Sequence, residues 1–129
     1  MTHHFACRVY YEDTDLAGFV YYANYLRFIE RARTEWVRGL GIDQVRLRAQ
    51  AGVVFAVRRI EADYLAPARF DDLLDVVTEV AVTTPARLVL RQVVRRDGAD
   101  LFVAVVTLVA LSAQGRPVRL PAEFRAVIS

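Results

Sequence analysis

The stretch VYYEDTDLAGFVYYANY, residues 9–25, runs directly into LRFIERARTE, residues 26–35, and decides the expected fold. Its first part places Glu12, Asp13 and Asp15 within four positions, where a strand-like segment gives way to a loop. A helical pattern begins shortly afterwards. The N-terminus of a helix carries unpaired N–H groups and a partial positive charge. A carboxylate in this loop is therefore placed where it can take part in chemistry.

A helix is predicted from about Asn24 to Arg38, because apolar residues recur there at helical spacing and form one broad stripe. Gly39 and Gly41 then provide a stop signal. Residues 42–50 are expected to form a short second helix or a turn. The residues of the apolar stripe are Tyr25, Phe28, Ile29, Ala32 and Trp36.

After Gly52 the pattern changes to valine-rich segments, which are typical of strands and are separated by Pro67, Pro85 and the Asp97-Gly98 turn. The Asp-Gly pair predicts a hairpin. One long early helix followed by strands with short connections predicts an α+β domain with an antiparallel sheet. The predicted strands are residues 5–11, 53–65, 73–82, 88–94 and 101–111.

Composition narrows the class of protein. A chain of 129 residues, 55% of them hydrophobic, fits a single domain over residues 1–129. The net charge of +2 gives no reason to expect nucleic-acid binding. The longest apolar run, residues 101–111, is shorter than the roughly 18 residues that a bilayer span needs. No secretory signal is visible and Cys7 is the single cysteine, so we expect a cytoplasmic protein.

The residue types that carry most hydrolytic chemistry are scarce in this chain. The histidines are His3 and His4, near the terminus, and the serines are Ser112 and Ser129. A Ser-His-acid triad is therefore not expected. Two adjacent histidines and Cys7 do not resemble a zinc site.

Carboxylate chemistry near the helix start remains. Asp15 is placed to activate water or to attack a carbonyl carbon. The N–H groups around Tyr21, Tyr22 and Ala23 are placed to bind an oxygen that becomes negative during acyl transfer. Asp-Thr-Asp before a glycine is also the composition of an ordinary turn. The spacing alone therefore leaves a catalytic loop and a structural turn both open.

Two blocks of the sequence carry a family resemblance. The first contains YEDTD at residues 11–15, Gly18, the pair Val20-Tyr21, Tyr25, and ERAR at residues 30–33. The second contains VRR at residues 57–59 and YLAPARFDD at residues 64–72. Together they resemble the hotdog-fold thioesterases of the 4-hydroxybenzoyl-CoA thioesterase type. The resemblance is strongest to the YbgC branch, the acyl-CoA thioesterases associated with the Tol-Pal genes.

The resemblance implies a hotdog fold, in which an antiparallel sheet of about five strands wraps one long helix. It also implies a homodimer or homotetramer with active sites at the dimer interface. The implied reaction is hydrolysis of an acyl-CoA thioester to free acid and CoA, without metal or other cofactor. Asp15 matches the essential aspartate, as nucleophile or general base, and Tyr11 matches a positioning tyrosine. The backbone near Tyr21 and Tyr22 matches the group that polarises the thioester carbonyl.

One position departs from the family pattern. Many members of the YbgC branch have a histidine where this chain has Tyr22. Tyrosine can donate a hydrogen bond, but its reference pKa of about 10 makes it a poor base near neutral pH. A proton-relay role of that histidine therefore does not carry over.

Other residues have weaker claims. Glu30 is a competing acid, because another hotdog branch uses a helix glutamate, and its simpler interpretation is an ion pair on the helix surface. Arg58, Arg59 and Arg87 are the candidates for binding the CoA phosphates. Two alternative functions stay open: a hotdog hydratase or dehydratase, and a non-catalytic module that binds acyl-carrier protein.

Overall fold

The computed structural model describes residues 2–128 and contains three helices and six strands within them. The helices are α1 (Asn24–Gly39), α2 (Gln44–Ala51) and α3 (Ala122–Ile128). A short 3-10 turn spans Tyr11–Asp13. The strands are β1 (Thr2–Arg8), β2 (Val54–Tyr64), β3 (Leu73–Thr83), β4 (Arg87–Arg96), β5 (Ala99–Leu111) and β6 (Pro117–Val118).

The strands form one antiparallel sheet in the order β1-β3-β4-β5-β2, and β6 pairs with the end of β5. Helix α1 contacts β1, β3 and β4. One side of each strand faces the helix, because side chains alternate along a strand. Phe28 and Ile29 of α1 and Leu90 of β4 belong to one hydrophobic cluster and are completely buried. The predicted α+β class with an antiparallel sheet is confirmed.

The Asp97-Gly98 hairpin is confirmed. Arg96 and Ala99 are paired across it, and both turn residues have positive φ, 51° for Asp97 and 80° for Gly98. Positive φ at both central residues is what a tight two-residue hairpin requires. The turn therefore fixes the register between β4 and β5.

Three details differ from the prediction. Strand β1 ends at Arg8 instead of continuing to Tyr11, because Val9 exchanges backbone hydrogen bonds with Asp71 and Asp72. Strand β6 and helix α3 were not predicted. Both are short, and α3 is held by one buried aromatic residue, Phe124, which contacts Trp36 and Phe55. Seven residues are too few for an apolar period to identify a helix.

In the part of the chain that the structure describes, none of the helices has the length and apolar character needed to cross a membrane.

Candidate active site

A cleft of about 440 Å³ lies at the N-terminal end of α1. The acidic loop supplies one wall, and the end of β2 with the loop that follows it supplies another. Residues from both sequence blocks therefore meet here, although they are about 50 positions apart. The lining residues are Asp15, Phe19, Val20, Tyr21, Tyr22, Tyr25, Tyr64, Leu65, Ala66 and Pro67.

The Asp15 carboxylate is held by its own loop through one oxygen. Oδ1 accepts hydrogen bonds from the N–H of Ala17 (3.0 Å) and of Phe19 (3.2 Å). The loop closes through the Gly18 N–H, which donates to the Asp15 carbonyl, and Gly18 has a φ of 81° that favours glycine. Oδ2 accepts no hydrogen bond from any residue between 2 and 128. The carboxylate is thus fixed in position while one oxygen stays available to a ligand.

The backbone N–H groups at the start of α1 are not equivalent. The Tyr21 N–H donates to the Asp13 carbonyl at 2.9 Å, and the Asn24 N–H donates to the Tyr21 carbonyl at 2.8 Å. The N–H groups of Tyr22 and Ala23 have no acceptor within the described residues. The expectation that Tyr21 supplies a backbone donor is therefore corrected, because Asp13 already occupies its N–H. Tyr22 and Ala23 are the donors that an anionic oxygen can use.

Residues 64–72 of the second sequence block hold the acidic loop in place and are called the clasp below. The Val20 N–H donates to the Ala68 carbonyl at 2.8 Å, and the Phe70 N–H donates to the Gly18 carbonyl at 3.4 Å. Phe19 and Arg69 form an isolated bridge, with the Arg69 guanidinium over the Phe19 ring. These contacts hold the loop against the residues that follow β2, so the block positions Asp15 without touching it.

The clasp has its own internal support in Asp72. Its Oδ2 accepts a hydrogen bond from the Arg69 N–H at 2.8 Å and one from Nη1 of Arg96 at 2.7 Å. Burial acts to raise the pKa of the Asp72 carboxyl, but these hydrogen bonds and the two guanidinium charges outweigh it and hold the pKa below its ordinary value. Arg96 also donates to the Pro67 carbonyl at 3.4 Å.

Three tyrosines shape the mouth and floor of the cleft. Tyr64 donates its hydroxyl proton to the Tyr22 carbonyl at 2.9 Å. Tyr22 and Tyr64 also contact edge to face, as do Tyr64 and Tyr25. Burial raises the pKa of Tyr64, and the neighbouring tyrosines raise it further. No role was predicted for Tyr64, and its place in the second block was the one available signal.

Tyr11 does not reach the cleft within one chain. Its side chain is 83% exposed and contacts the edge of the Phe70 ring. It lies in the 3-10 turn that follows β1, and it is not among the residues that line the cleft with Asp15. The predicted position of Tyr11 beside the reacting groups is therefore not seen in a single chain.

The predicted phosphate ligands also lie apart from the cleft. Arg58 is at a β-bulge in the edge strand β2. Arg59 and Arg87 are on the sheet face that points away from α1, since their pairing partners Thr107 and Val109 alternate with the inward-facing Leu108. None of these arginines lines the cleft of its own chain.

Glu30 has a local partner on the helix. The Thr34 hydroxyl donates to the Glu30 carboxylate at 3.1 Å, one turn further along α1. Glu30 does not line the cleft that contains Asp15. Between residues 2 and 128 there is also no group of three or more histidine, cysteine, aspartate or glutamate side chains arranged to hold a metal ion.

The arrangement combines three features that acyl transfer needs. A fixed carboxylate with one free oxygen is suited to activate water or to attack a carbonyl carbon. Two backbone N–H groups without acceptors are suited to bind the oxygen that becomes negative. Most of the remaining cleft wall is aromatic or apolar, which suits an acyl group.

Comparisons with known proteins identify the family. A model of the thioesterase superfamily matches residues 17–103. The acyl-CoA thioesterase YbgC of Haemophilus influenzae is 41% identical over 123 residues, which cover 95% of this chain and 90% of that protein. A probable thioesterase from Bartonella henselae, a solved structure, has a TM-score of 0.90 at 35% identity and covers 94% of this chain and 100% of its own.

A more distant structure supports the fold alone. A 4-hydroxybenzoyl-CoA thioesterase mutant, solved in complex with 4-hydroxybenzoyl-CoA, has a TM-score of 0.93 over 99% of both chains at 22% identity. The resemblance inferred from the two sequence blocks and the hotdog fold that it implied are thereby confirmed.

Proposed function

The chain belongs to the thioesterase superfamily as an acyl-CoA thioester hydrolase, and from this premise we propose that Asp15 and the start of α1 carry out the hydrolysis. The observation that carries the proposal is that several hydrogen-bonding groups at the start of α1 have no partner in the described residues. Asp15 Oδ2 and the N–H groups of Tyr22 and Ala23 have no partners in the described residues, whereas their neighbours do.

In the proposed reaction the thioester carbonyl oxygen accepts hydrogen bonds from the Tyr22 and Ala23 N–H groups. These donors sit at the positive end of the helix dipole, so they stabilise the negative charge that develops as the carbonyl carbon is attacked. The tetrahedral intermediate then collapses, and the carbon–sulfur bond breaks to release CoA.

Asp15 has two possible roles in the attack. As a general base, Oδ2 takes a proton from water, and the hydroxide attacks the acyl carbon. As a nucleophile, Oδ2 attacks the acyl carbon itself, and water then hydrolyses the mixed anhydride. A single turnover with equimolar substrate in ¹⁸O-labelled water identifies the nucleophilic route when the label appears in the Asp15 carboxylate, because that label requires a mixed anhydride whose aspartyl carbonyl is attacked by water.

We propose that the working form is a homodimer, which can associate further into a homotetramer. Strand β2 is an edge of the sheet and has no strand on its outer side among residues 2–128, and unpaired edges favour pairing with a second chain. Large apolar side chains near the cleft are also exposed, with Leu16 completely so. Pairing along β2 would cover this surface and bring Arg58 or Tyr11 of a second copy towards the site.

The rival functions make different predictions for the same assay. A free-thiol assay with acyl-CoA esters of several chain lengths, aromatic esters included, and with acyl-carrier-protein thioesters measures turnover directly. The proposal predicts catalytic release of CoA from at least one ester. Binding of acyl-carrier protein without release of thiol would support a carrier module. Consumption of an enoyl-CoA with the thioester intact would support a hydratase.

A cytoplasmic location stays a prediction of the sequence.

A further inference from the structure

Tyr25 is an immobile side chain at the candidate site. It lies in the first turn of α1, lines the same cleft as Asp15, and is only 3% exposed. Its ring stacks on Phe102 with a centroid distance of 4.9 Å and an angle of 17°. The rings of Phe28 and Tyr64 contact it edge to face. A ring packed on several sides holds its hydroxyl oxygen in one place.

The Tyr25 hydroxyl uses only part of its hydrogen-bonding capacity. The oxygen accepts a hydrogen bond from the Ala68 N–H at 2.9 Å. Its own proton has no acceptor within residues 2–128. A phenol can donate one hydrogen bond as well as accept, and buried polar groups in native proteins are nearly always satisfied. The proton therefore needs an acceptor that enters from the cleft.

The protonation state of this phenol suits a permanent donor. Burial raises the pKa of Tyr25, and the Ala68 N–H, which lowers the pKa, offsets only part of that effect. The phenol therefore keeps its proton throughout the pH range in which a carboxylate base works. A group that keeps its proton in this pH range serves better as a fixed hydrogen-bond donor than as a base.

We infer that the Tyr25 hydroxyl is a third donor of the oxyanion site, beside the N–H groups of Tyr22 and Ala23. The inference rests on the proposed function, since the ligand it binds is the thioester carbonyl oxygen. Tyr22 and Tyr25 line the same cleft, Tyr25 is three positions after Tyr22, and side chains in the first turn of a helix point back towards its N-terminus, where these N–H groups lie. The Ala68 N–H polarises the phenol and strengthens its donation.

The first test is Tyr25→Phe, which removes the hydroxyl and retains the ring packing. Loss of one oxyanion donor lowers kcat by about 100-fold, with a much smaller change in KM. Tyr10→Phe is the matched control, since Tyr10 is exposed and its hydroxyl makes no hydrogen bond to a described residue. The substitution also leaves the buried Ala68 N–H without an acceptor, so a fall in melting temperature accompanies it and a second variant is needed.

The second test keeps the acceptor and changes only the donor. A fluorinated tyrosine at position 25 has a more acidic phenol and still accepts from Ala68. As pH rises through the pKa of that phenol, kcat falls, because a phenolate cannot donate. The wild type and the same fluorotyrosine at position 10 show no such limb. A purely structural hydroxyl would leave the pH profile unchanged.

The outcomes separate this inference from the proposed function. If Asp15→Asn loses turnover while Tyr25→Phe keeps the wild-type kcat, or fluorotyrosine adds no pH limb, the Tyr25 assignment is wrong and the hydrolase mechanism stands. If the wild type releases no CoA from any ester, both are wrong. A loss of kcat in Tyr25→Phe together with the new limb supports both.

Discussion

Polar groups lie beside helix α1 at two places, its N-terminal end and its middle, and their hydrogen-bonding states are opposite. At the N-terminal end, Asp15 Oδ2, two backbone N–H groups and the Tyr25 proton have no partner in the described chain. In the middle, Gln92 of β4 accepts from Arg33 at 2.9 Å and donates to the Ile29 carbonyl and to Thr78, both at 2.9 Å.

The contrast separates polar residues that stabilise the fold from polar residues that are free to bind a substrate. Gln92 and Thr78 are completely buried, and every polar atom of the Gln92 side chain has a partner. Such a network orients the helix on the sheet, and the Gln92 side chain has no hydrogen-bonding capacity left for a substrate. The cleft residues retain donors and an acceptor for a ligand. Polar residue type alone would not have separated the two regions.

The largest effect on the structural side is expected for Gln92→Leu. The change leaves the buried Arg33 guanidinium, whose pKa is lowered by burial, without its acceptor. We expect a loss of about 3 kcal/mol in the free energy of unfolding, measured by denaturant titration, with kcat per folded molecule within about twofold of wild type. The double variant Arg33→Leu/Gln92→Leu should recover part of the loss, since no unpaired charge remains. A collapse of kcat in a stable Gln92→Leu protein would place this cluster in the catalytic machinery.

A smaller effect is expected for Tyr64→Phe, because the Tyr64 hydroxyl supports the cleft without being one of the proposed oxyanion donors. Tyr64 donates to the Tyr22 carbonyl, so it steadies the peptide group whose N–H belongs to Ala23. Loss of this hydrogen bond, about 1 kcal/mol, should lower kcat about fivefold, far less than Tyr25→Phe. Steady-state kinetics beside Tyr10→Phe measure it. Equal losses of kcat in the Tyr64 and Tyr25 variants would contradict the distinction between Tyr25 as an oxyanion donor and Tyr64 as a supporting residue.

The smallest effect concerns the clasp and appears as pH dependence. The pKa of Asp72 is lowered in the folded protein, so its contribution to stability is present above the unfolded-state pKa and is lost as pH falls through the folded-state pKa. The melting temperature of wild type should exceed that of Asp72→Asn by a constant amount above about pH 5, and the gap should close below about pH 4. A gap that does not change between pH 7 and the acid unfolding of the protein would show that the Asp72 charge is not what holds the clasp.

Much of the fold was predictable because its signals are local. The apolar stripe of α1, the valine-rich strands and the Asp97-Gly98 turn each lie within a short window of sequence, and the structure has them within a few residues of the expected bounds. Helix α3 was missed because its seven residues are too few to show a helical period.

The site was predictable only in part, since its contacts join distant residues. Asp15 could be singled out because the chain has few other reactive groups and because the family resemblance points to it. That the Tyr21 N–H is occupied depends on the turn that presents the Asp13 carbonyl. The Tyr25 hydroxyl meets a backbone N–H 43 positions away, and Arg33 meets Gln92 59 positions away. Local sequence patterns do not predict such long-range pairs.

The central claim is that Asp15 carries out the hydrolysis, together with the hydrogen-bond donors at the start of α1 that have no partner in the described residues. Asp15→Asn tests it most directly, because the amide oxygen can still accept from the Ala17 and Phe19 N–H groups and preserve the loop. The variant should keep the wild-type melting temperature and release CoA from the best acyl-CoA ester about 1,000-fold more slowly. Release of CoA at the wild-type rate by folded Asp15→Asn protein would contradict the account.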